Sequence, residues 1–142
     1  MSLALKMDLR SGSGDDLASI AQIQAASPEA SQWDVPEYLK YDLLVAVCAG
    51  RVAGFAVARR VAEDESELLN LAVDPAFRRR GIGHRLVAVL ASSHLGTFWL
   101  EVRESNLGAR KFYKSLGFCE AGCRPGYYPD SAEGAIVMNV HT

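Results

Sequence analysis

Hydrophobic and polar residues along the first half of the chain follow two different periods. An alternating stretch at 4–10 predicts a first strand, and the spacing of Leu17, Ile20 and Ile23 predicts a helix that Asp15 or Asp16 caps. A second, shorter helix is expected from Asp34 to about Tyr41. Apolar runs separated by tight turns then predict an antiparallel meander of three strands, at 43–49, 52–61 and 66–73.

The second half alternates between helices and strands. Helical spacing predicts a helix over 82–94 and another over 106–116, on either side of a strand at 97–103. Two final strands are expected at 118–124 and 135–140, with a long loop at 125–134 between them. Because a helix connects strand 66–73 to strand 97–103, these two strands are predicted to be parallel. The fold class is therefore mixed α+β: one domain over 1–142, with helices on both faces of a mostly antiparallel seven-stranded sheet.

Composition and charge narrow the class of protein. The chain has 142 residues, of which 49% are hydrophobic and 23% charged, and this is typical of a globular domain. Its net charge of −2 argues against a protein that coats nucleic acid. No apolar run approaches the ~20 residues that span a bilayer, and the N-terminus lacks a secretory pattern, so a cytoplasmic protein is expected. Three cysteines at spacings unlike a zinc site predict no metal.

A basic, glycine-containing segment lies between the third meander strand and the next helix. Its sequence is Arg78-Arg79-Arg80-Gly81-Ile82-Gly83. Free N–H groups at a helix N-terminus favour an anion, and glycines let the backbone approach it closely. The segment lacks the Gly-Lys-Ser/Thr of a Walker A loop and the three glycines of a dinucleotide-binding turn. By itself, it is equally consistent with a pyrophosphate site and with an exposed basic turn.

Two sequence motifs occur in the order that is typical of a known protein family. Arg-x-x-Gly-x-Gly between a strand and a helix, preceded by Asn70-Leu71-Ala72-Val73-Asp74-Pro75, resembles the acetyl-CoA pyrophosphate motif of the GNAT superfamily of acetyltransferases. Downstream, Asn106-x-x-Ala109-x-x-x-Tyr113-x-x-x-Gly117-Phe118 resembles the fourth helix of the same superfamily. The resemblance covers about residues 5–140. It implies the GNAT fold and an acetyl-CoA-dependent N-acetyltransferase.

Within that superfamily the chain is most similar to the RimI-type branch, the ribosomal-protein alanine N-acetyltransferases. This likeness rests on four segments of the sequence: Leu69–Val73, Trp99–Arg103, Ser105-Asn106 and Tyr127-Tyr128-Pro129. It implies that the acetyl acceptor is the N-terminus of a protein, for example of a ribosomal protein. The segment around Trp33 matches only loosely.

Glu101 is the first candidate catalytic residue. Strand alternation puts it on the same side as Trp99 and Arg103, opposite Leu100 and Val102. A glutamate in the middle of a strand is disfavoured, and a salt bridge with Arg103 on a solvated face would be one reason for it. The resemblance implies instead that Glu101 is the general base, acting through a water molecule.

Tyr113 and Asn106 lie two turns apart on the helix after this strand. Tyr113 could be a core aromatic, whereas the resemblance makes it the acid that protonates the coenzyme thiolate. Asn106 is a suitable helix cap and, by resemblance, a contact of the coenzyme. The remaining cofactor contacts that the resemblance implies are Leu71, Ala72 and Val73 through their backbone, and the loop residues Arg78, Arg79, Arg80, Gly81, Ile82 and Gly83.

The acceptor is the least constrained part of the prediction. An α-amine has a pKa of roughly 7.7–8.0 against 10.4 for lysine, so a single carboxylate deprotonates it more easily. The sequence therefore favours an N-terminal α-amine, with Tyr127-Tyr128-Pro129 in the long loop as a possible wall of the peptide groove. A small-molecule amine, or a domain that binds acetyl-CoA without catalysis, remains an alternative. The presence of both Glu101 and Tyr113 argues against the second of these.

Overall fold

A computed structural model describes residues 6–141 of the chain. Over these residues the elements are β1 (Met7–Ser11), α1 (Leu17–Ala25), β2 (Asp42–Cys48), β3 (Arg51–Ala62), β4 (Glu65–Val73), α2 (Ile82–Ser93), β5 (Thr97–Arg103), α3 (Leu107–Ser115), β6 (Cys119–Tyr128) and β7 (Glu133–His141). Short 3-10 helices precede α1, β2 and the basic loop, at Gly14–Asp16, Val35–Lys40 and Pro75–Phe77. The predicted succession of strands and helices is confirmed.

The seven strands form one sheet in the order β1-β2-β3-β4-β5-β7-β6. The pairs β1–β2, β2–β3, β5–β7 and β6–β7 are antiparallel. Strands β4 and β5 are parallel, with Glu65 opposite Thr97 and Glu67 opposite Trp99. The mostly antiparallel sheet and its predicted parallel pair are therefore both confirmed.

Residue contacts group the chain into two units. The first unit comprises the described chain up to Arg59 together with Leu68–Leu90, and the second comprises Arg60–Glu67 together with the chain from Ala91 onward. Strands β3 and β4 and helix α2 each contribute residues to both units.

The first unit has helices on both faces of its strands. Phe55 and Val57 of β3 belong to one buried cluster with Ile20 and Ile23 of α1. Gly54 lies on the opposite face of β3, where a Cβ would come within 3.2 Å of Ile82 and 3.4 Å of Leu86, both in α2. The absence of a side chain at Gly54 thus lets α2 pack closely against the sheet.

A polar network is buried within this first unit. Asn70 on β4 donates through Nδ2 to the Tyr38 hydroxyl at 2.9 Å and to the Ser31 carbonyl at 2.8 Å. The Tyr38 hydroxyl in turn donates to Gln24 Oε1, and Gln24 Nε2 donates to the Trp33 carbonyl at 2.7 Å. Because buried polar groups are costly unless paired, this network fixes the connection between α1 and the 3-10 helix at Val35–Lys40.

In the second unit, β5 has two chemically different faces. Phe98, Leu100 and Val102 are buried, and Phe98 packs against Phe118 with ring centroids 6.1 Å apart. Trp99, Glu101 and Arg103 alternate with them and each retain some exposure to solvent. The alternation predicted from the sequence is confirmed, and it leaves Glu101 on the more accessible face of the strand.

The final hairpin corrects the predicted loop at 125–134. Strand β6 continues to Tyr128 and β7 begins at Glu133, so Tyr127 and Tyr128 lie on a strand and the connection is only 129–132. The prediction was wrong because Pro125 and Gly126 suggested a loop. The strand accommodates them through a register shift between Arg124 and Tyr128, at the sheet edge, where proline and bulges are tolerated. At the other end of the chain, residues 4–5 of the predicted first strand lie outside the described residues.

Candidate active site

The basic loop, Arg78–Gly83, ends at the start of α2. Arg85 N–H donates to the Gly81 carbonyl at 3.1 Å, as the first bond of the α2 ladder. The N–H groups of Ile82, Gly83 and His84 therefore have no acceptor within the helix and are oriented off its N-terminus. Arg79 and Gly81 both have positive φ, +64° and +77°. Free N–H groups at a helix N-terminus, in a turn of this kind, are suited to an anion.

The three arginines of the loop have different surroundings. The Arg78 side chain donates to the Val73 carbonyl, the Ser27 hydroxyl and the Glu29 carboxylate, at 3.3, 3.2 and 3.1 Å. The Arg80 guanidinium lies over the Phe77 ring at 5.6 Å, and Arg79 is exposed. Arg78 therefore holds the loop in place, while Arg79 and Arg80 are the arginines whose charge is open to an anion.

Strand β4 leads into this loop, and part of its backbone is already bonded. The Leu71 N–H is bonded to Asn70 Oδ1 at 3.0 Å, and the Val73 carbonyl accepts from Arg78. Ala72 is buried in the core of the first unit. The sequence predicts that the backbone of this segment contacts a coenzyme, and these two bonds reduce the number of groups that it can offer.

In the second unit, Glu101 is mostly buried and has one paired oxygen. Its side chain is 11% exposed, and Arg124 on β6 donates to Oε1 at 2.5 Å. Oε2 is buried and has no hydrogen-bond partner among residues 6–141, and the same holds for the indole nitrogen of Trp99 on the same face. Arg103, the partner considered from the sequence, bonds to Asp130 and Glu133 instead. Oε2 is therefore the Glu101 oxygen whose capacity to accept a hydrogen bond is unused among these residues.

An aromatic and basic array continues from Arg124. Its guanidinium lies 4.6 Å from the centre of the Tyr127 ring, and Tyr127 meets Tyr128 edge-on at 5.0 Å. Arg103 lies 4.1 Å from the Tyr128 ring. Burial raises the pKa of the Tyr127 phenol, and the negative charge of Glu101 raises it further. The two tyrosines thus lie beside the candidate base.

Helix α3 carries Asn106 and Tyr113. Asn106 caps the helix, since its Oδ1 accepts the Ala109 N–H at 3.1 Å, and this leaves the amide nitrogen for another ligand. The Tyr113 ring packs edge-on against Phe112 and Phe118, at 5.2 and 5.6 Å. Tyr113 is half-buried, and burial raises the pKa of its phenol well above the usual value. Its hydroxyl has no hydrogen-bond partner within the part of the chain that the structure describes.

The structure groups the predicted residues into two sets. Leu71–Val73 and Arg78–Gly83 lie in the first unit, whereas Glu101, Asn106 and Tyr113 lie in the second. Sequence reasoning missed Arg124 as the partner of Glu101. The pairing depends on the strand order β5-β7-β6 and on the register of β6, and no local pattern around residue 124 indicates it.

The model of the acetyltransferase (GNAT) family matches residues 15–118. The match covers more than half of the chain, and the chain therefore belongs to the GNAT family of acetyltransferases. The resemblance inferred from the two sequence motifs is confirmed.

Individual relatives refine this assignment. The ribosomal protein bS18-alanine N-acetyltransferase of Escherichia coli (strain K12) is 45% identical over 95 residues, which cover 63% of this chain and 64% of that protein. The crystal structure of the ribosomal-protein-S18-alanine N-acetyltransferase from Escherichia coli has a TM-score of 0.80 at 33% identity, covering 95% of this chain and 93% of that one. Ard1 from Thermoplasma volcanium gives 0.83 at 30% identity, with 97% of each chain covered. The sequence match thus spans slightly less than two thirds of the first relative.

Two kinds of feature are absent from the described residues. None of the helices between residues 6 and 141 combines the length and apolar character needed to cross a membrane. In the same part of the chain, no group of three or more histidine, cysteine, aspartate or glutamate side chains could hold a metal ion.

Proposed function

We propose that this chain transfers the acetyl group of acetyl-CoA to the α-amino group of a protein N-terminus that begins with alanine. Membership of the GNAT family supports the reaction class. The 45% identity with the ribosomal protein bS18-alanine N-acetyltransferase of Escherichia coli supports alanine as the first residue and a ribosomal protein as the acceptor. The proposal also places the protein in the cytoplasm, together with that acceptor.

The basic loop fits the pyrophosphate of acetyl-CoA. Three N–H groups at the start of α2 are free of intrahelical acceptors, and Arg79 and Arg80 add positive charge next to them. Gly81 has open space on the side where a Cβ would be, so the backbone can approach a phosphate closely. We assign the pantetheine arm to the backbone of Leu71–Val73 and one further contact to the Asn106 amide nitrogen.

Two residues of the second unit supply the proton chemistry. The acceptor nitrogen attacks the thioester carbonyl, the bond to sulfur breaks, and the nitrogen loses a proton while the sulfur gains one. Glu101 takes the first proton through a water molecule at Oε2, the oxygen without a partner. Tyr113 donates to the sulfur as negative charge develops there. Burial keeps this phenol protonated, so it acts as a donor and not as a base.

The burial and bonding of Glu101 are the observation that chiefly supports this proposal. A carboxylate that is 11% exposed, with one oxygen bonded and the other free, is positioned to accept a proton in a GNAT protein. One such group suits an α-amine, part of which is neutral at pH 7, better than a lysine side chain. Tyr127, which is 45% exposed beside Glu101, is the residue we assign to contact the first residues of the acceptor.

A panel of acceptors tests the proposal. Release of CoA thiol from acetyl-CoA would be measured with peptides that carry a free N-terminal alanine, with the same peptides blocked at the N-terminus and carrying an internal lysine, and with small amines such as a polyamine. We expect kcat/KM to be highest for the free alanine peptides, by roughly tenfold or more. Equal activity on blocked lysine peptides, or activity confined to small amines, would contradict the assigned acceptor and leave the acetyltransferase class intact.

A further inference from the structure

We propose that Arg124 is a positioning residue for the base: it holds Oε1 of Glu101 so that the proton is taken at Oε2. This inference rests on the proposed function, because it assumes that Glu101 is the base. Arg124 itself touches neither reacting atom. It acts through the carboxylate.

The two carboxylate oxygens of Glu101 have different surroundings. The last torsion of a glutamate side chain is broad, so a free carboxylate can turn and offer either oxygen. In this structure Arg124 donates to Oε1 at 2.5 Å, and charge-assisted bonds of this type are the strong ones. Oε2 has no hydrogen-bond partner between residues 6 and 141. The guanidinium therefore fixes the orientation of the carboxylate and leaves Oε2, which is buried, as the oxygen without a partner among these residues.

The Arg124 side chain is itself held by an array of contacts. Its side chain is 55% exposed, and an exposed arginine would ordinarily sample many rotamers. Here the guanidinium lies over the Tyr127 ring, Tyr127 contacts Tyr128, and Tyr128 lies beneath Arg103, which is bonded to Asp130. Each member of this array restricts the next. Such supporting contacts are what keep a catalytic group within a few tenths of an ångström.

Arg124 lies next to an irregularity in the sheet. The register of β6 shifts immediately after this residue, between Arg124 and Tyr128, and Gly126 has a φ of +63°. Bulges commonly redirect side chains next to active sites. Next to the shift in β6, the Tyr127 ring lies over the guanidinium of Arg124. The same guanidinium bonds Glu101, so a residue of the edge strand β6 contacts a residue of β5.

Arg124 and Glu101 also form an ion pair. Glu101 is mostly buried, and a carboxylate in that position requires a nearby countercharge. Arg124 provides it. Glu67 also lies near this pair, and its negative charge raises the pKa of both Arg124 and Tyr127. Removing Arg124 would thus leave a mostly buried carboxylate near a second one.

The test compares Arg124→Gln, Arg124→Lys and Arg124→Ala with the wild type on a free N-terminal alanine peptide. We expect Arg124→Gln to lower kcat roughly tenfold or more, with the KM for acetyl-CoA unchanged. Arg124→Lys should recover part of this loss, because it keeps the charge but not the fork of donors. Added guanidinium ion, far below its denaturing range, should raise the activity of Arg124→Ala and not that of the wild type.

A matched control and a mutant cycle separate this role from a structural one. Lys114 forms an ion pair with Glu120 in the second unit. Lys114→Gln removes a positive charge from that pair and should leave kcat unchanged. In a Glu101→Gln background, Arg124→Gln should cause no further loss, since both act on one step. An equal additional loss in that background would overturn the inference, as would a wild-type kcat in Arg124→Gln. A wild-type protein that acetylates no peptide N-terminus, or a fully active Glu101→Gln, would overturn the proposed function itself.

Discussion

Tyr113 shows how the surroundings of one side chain decide its chemistry. Its ring is enclosed by Phe112 and Phe118, and burial raises the pKa of the phenol well above its usual value near 10. The group therefore stays protonated through neutral and mildly alkaline pH. It is suited to donate a hydrogen bond or a proton to a developing thiolate, and unsuited to act as a base.

Replacing Tyr113 with phenylalanine tests this role. The substitution keeps both aromatic contacts and removes only the hydroxyl, so we expect kcat to fall by roughly 10²-fold while acetyl-CoA affinity barely changes. Steady-state kinetics and calorimetric titration would measure the two quantities. Tyr41→Phe, which removes a phenol hydroxyl in the first unit, serves as the control. A parallel loss of affinity and turnover in Tyr113→Phe would make Tyr113 a binding or structural residue.

At the same scale, the sequence predicts the faces of residues better than their partners. The period of β5 placed Glu101 opposite Leu100 and Val102, and the structure confirms it. The period says nothing about which arginine reaches the carboxylate. Arg103 is two residues away in sequence, yet Arg124 makes the bond, because strand order and register, and not local spacing, bring β6 to it.

At the scale of elements, the basic loop combines a helix start with a strained backbone. Arg79 and Gly81 adopt left-handed φ values, which glycine tolerates and other residues adopt at a cost of about 1–2 kcal/mol. Only one of these two positions has a glycine. The loop thus retains some strain at Arg79, as binding turns often do.

Gly81→Ala isolates the backbone requirement of this loop. A Cβ at Gly81 would meet nothing within 4 Å, so the expected cost in the free energy of unfolding is strain alone, about 1–2 kcal/mol. We also expect weaker acetyl-CoA binding, because the turn shifts and the Cβ lies where a phosphate would approach. Chemical denaturation and calorimetry would measure these effects.

Gly14→Ala is the matched control for this substitution. Its Cβ also has open space, and its φ is not positive. Its stability and acetyl-CoA affinity should stay close to those of the wild type. If Gly81→Ala behaved like Gly14→Ala in both measurements, the loop would lose its assigned role.

Elements with strong periodicity were predictable, and the last hairpin was not. Strand β5 and the start of α2 coincide with the ranges expected from the sequence. Pro125 and Gly126 predicted a loop because each disfavours a regular ladder. The strand continues through them by a local register shift. This shift requires that β6 pairs with β7 on one side and has no neighbouring strand on its other side, at the sheet edge.

At the scale of the whole molecule, we propose that the two contact units fold together as the single domain expected from the sequence. Strands β3 and β4 and helix α2 each run from one unit into the other. Unfolding one unit alone would interrupt three continuous elements. The hydrogen-bond ladders of those elements make this costly.

The two tryptophans of the chain report on the two units separately. Trp33 belongs to the first unit and Trp99 to the second. In Trp33→Phe and in Trp99→Phe, we expect the urea transition followed by the remaining tryptophan's fluorescence to coincide with that followed by far-ultraviolet circular dichroism. Distinct midpoints for the two signals in either variant would show that the units unfold independently.

The register shift in β6 also bears on how copies of this protein meet one another. An exposed, straight edge strand offers its unpaired N–H and C=O groups to any passing chain and so promotes aggregation. Strand β6 is at the edge of the sheet and almost fully exposed. Pro125 lacks an N–H, and the shift after Arg124 bends the strand. The irregularity that supports the proposed base therefore also discourages a second molecule from extending the sheet.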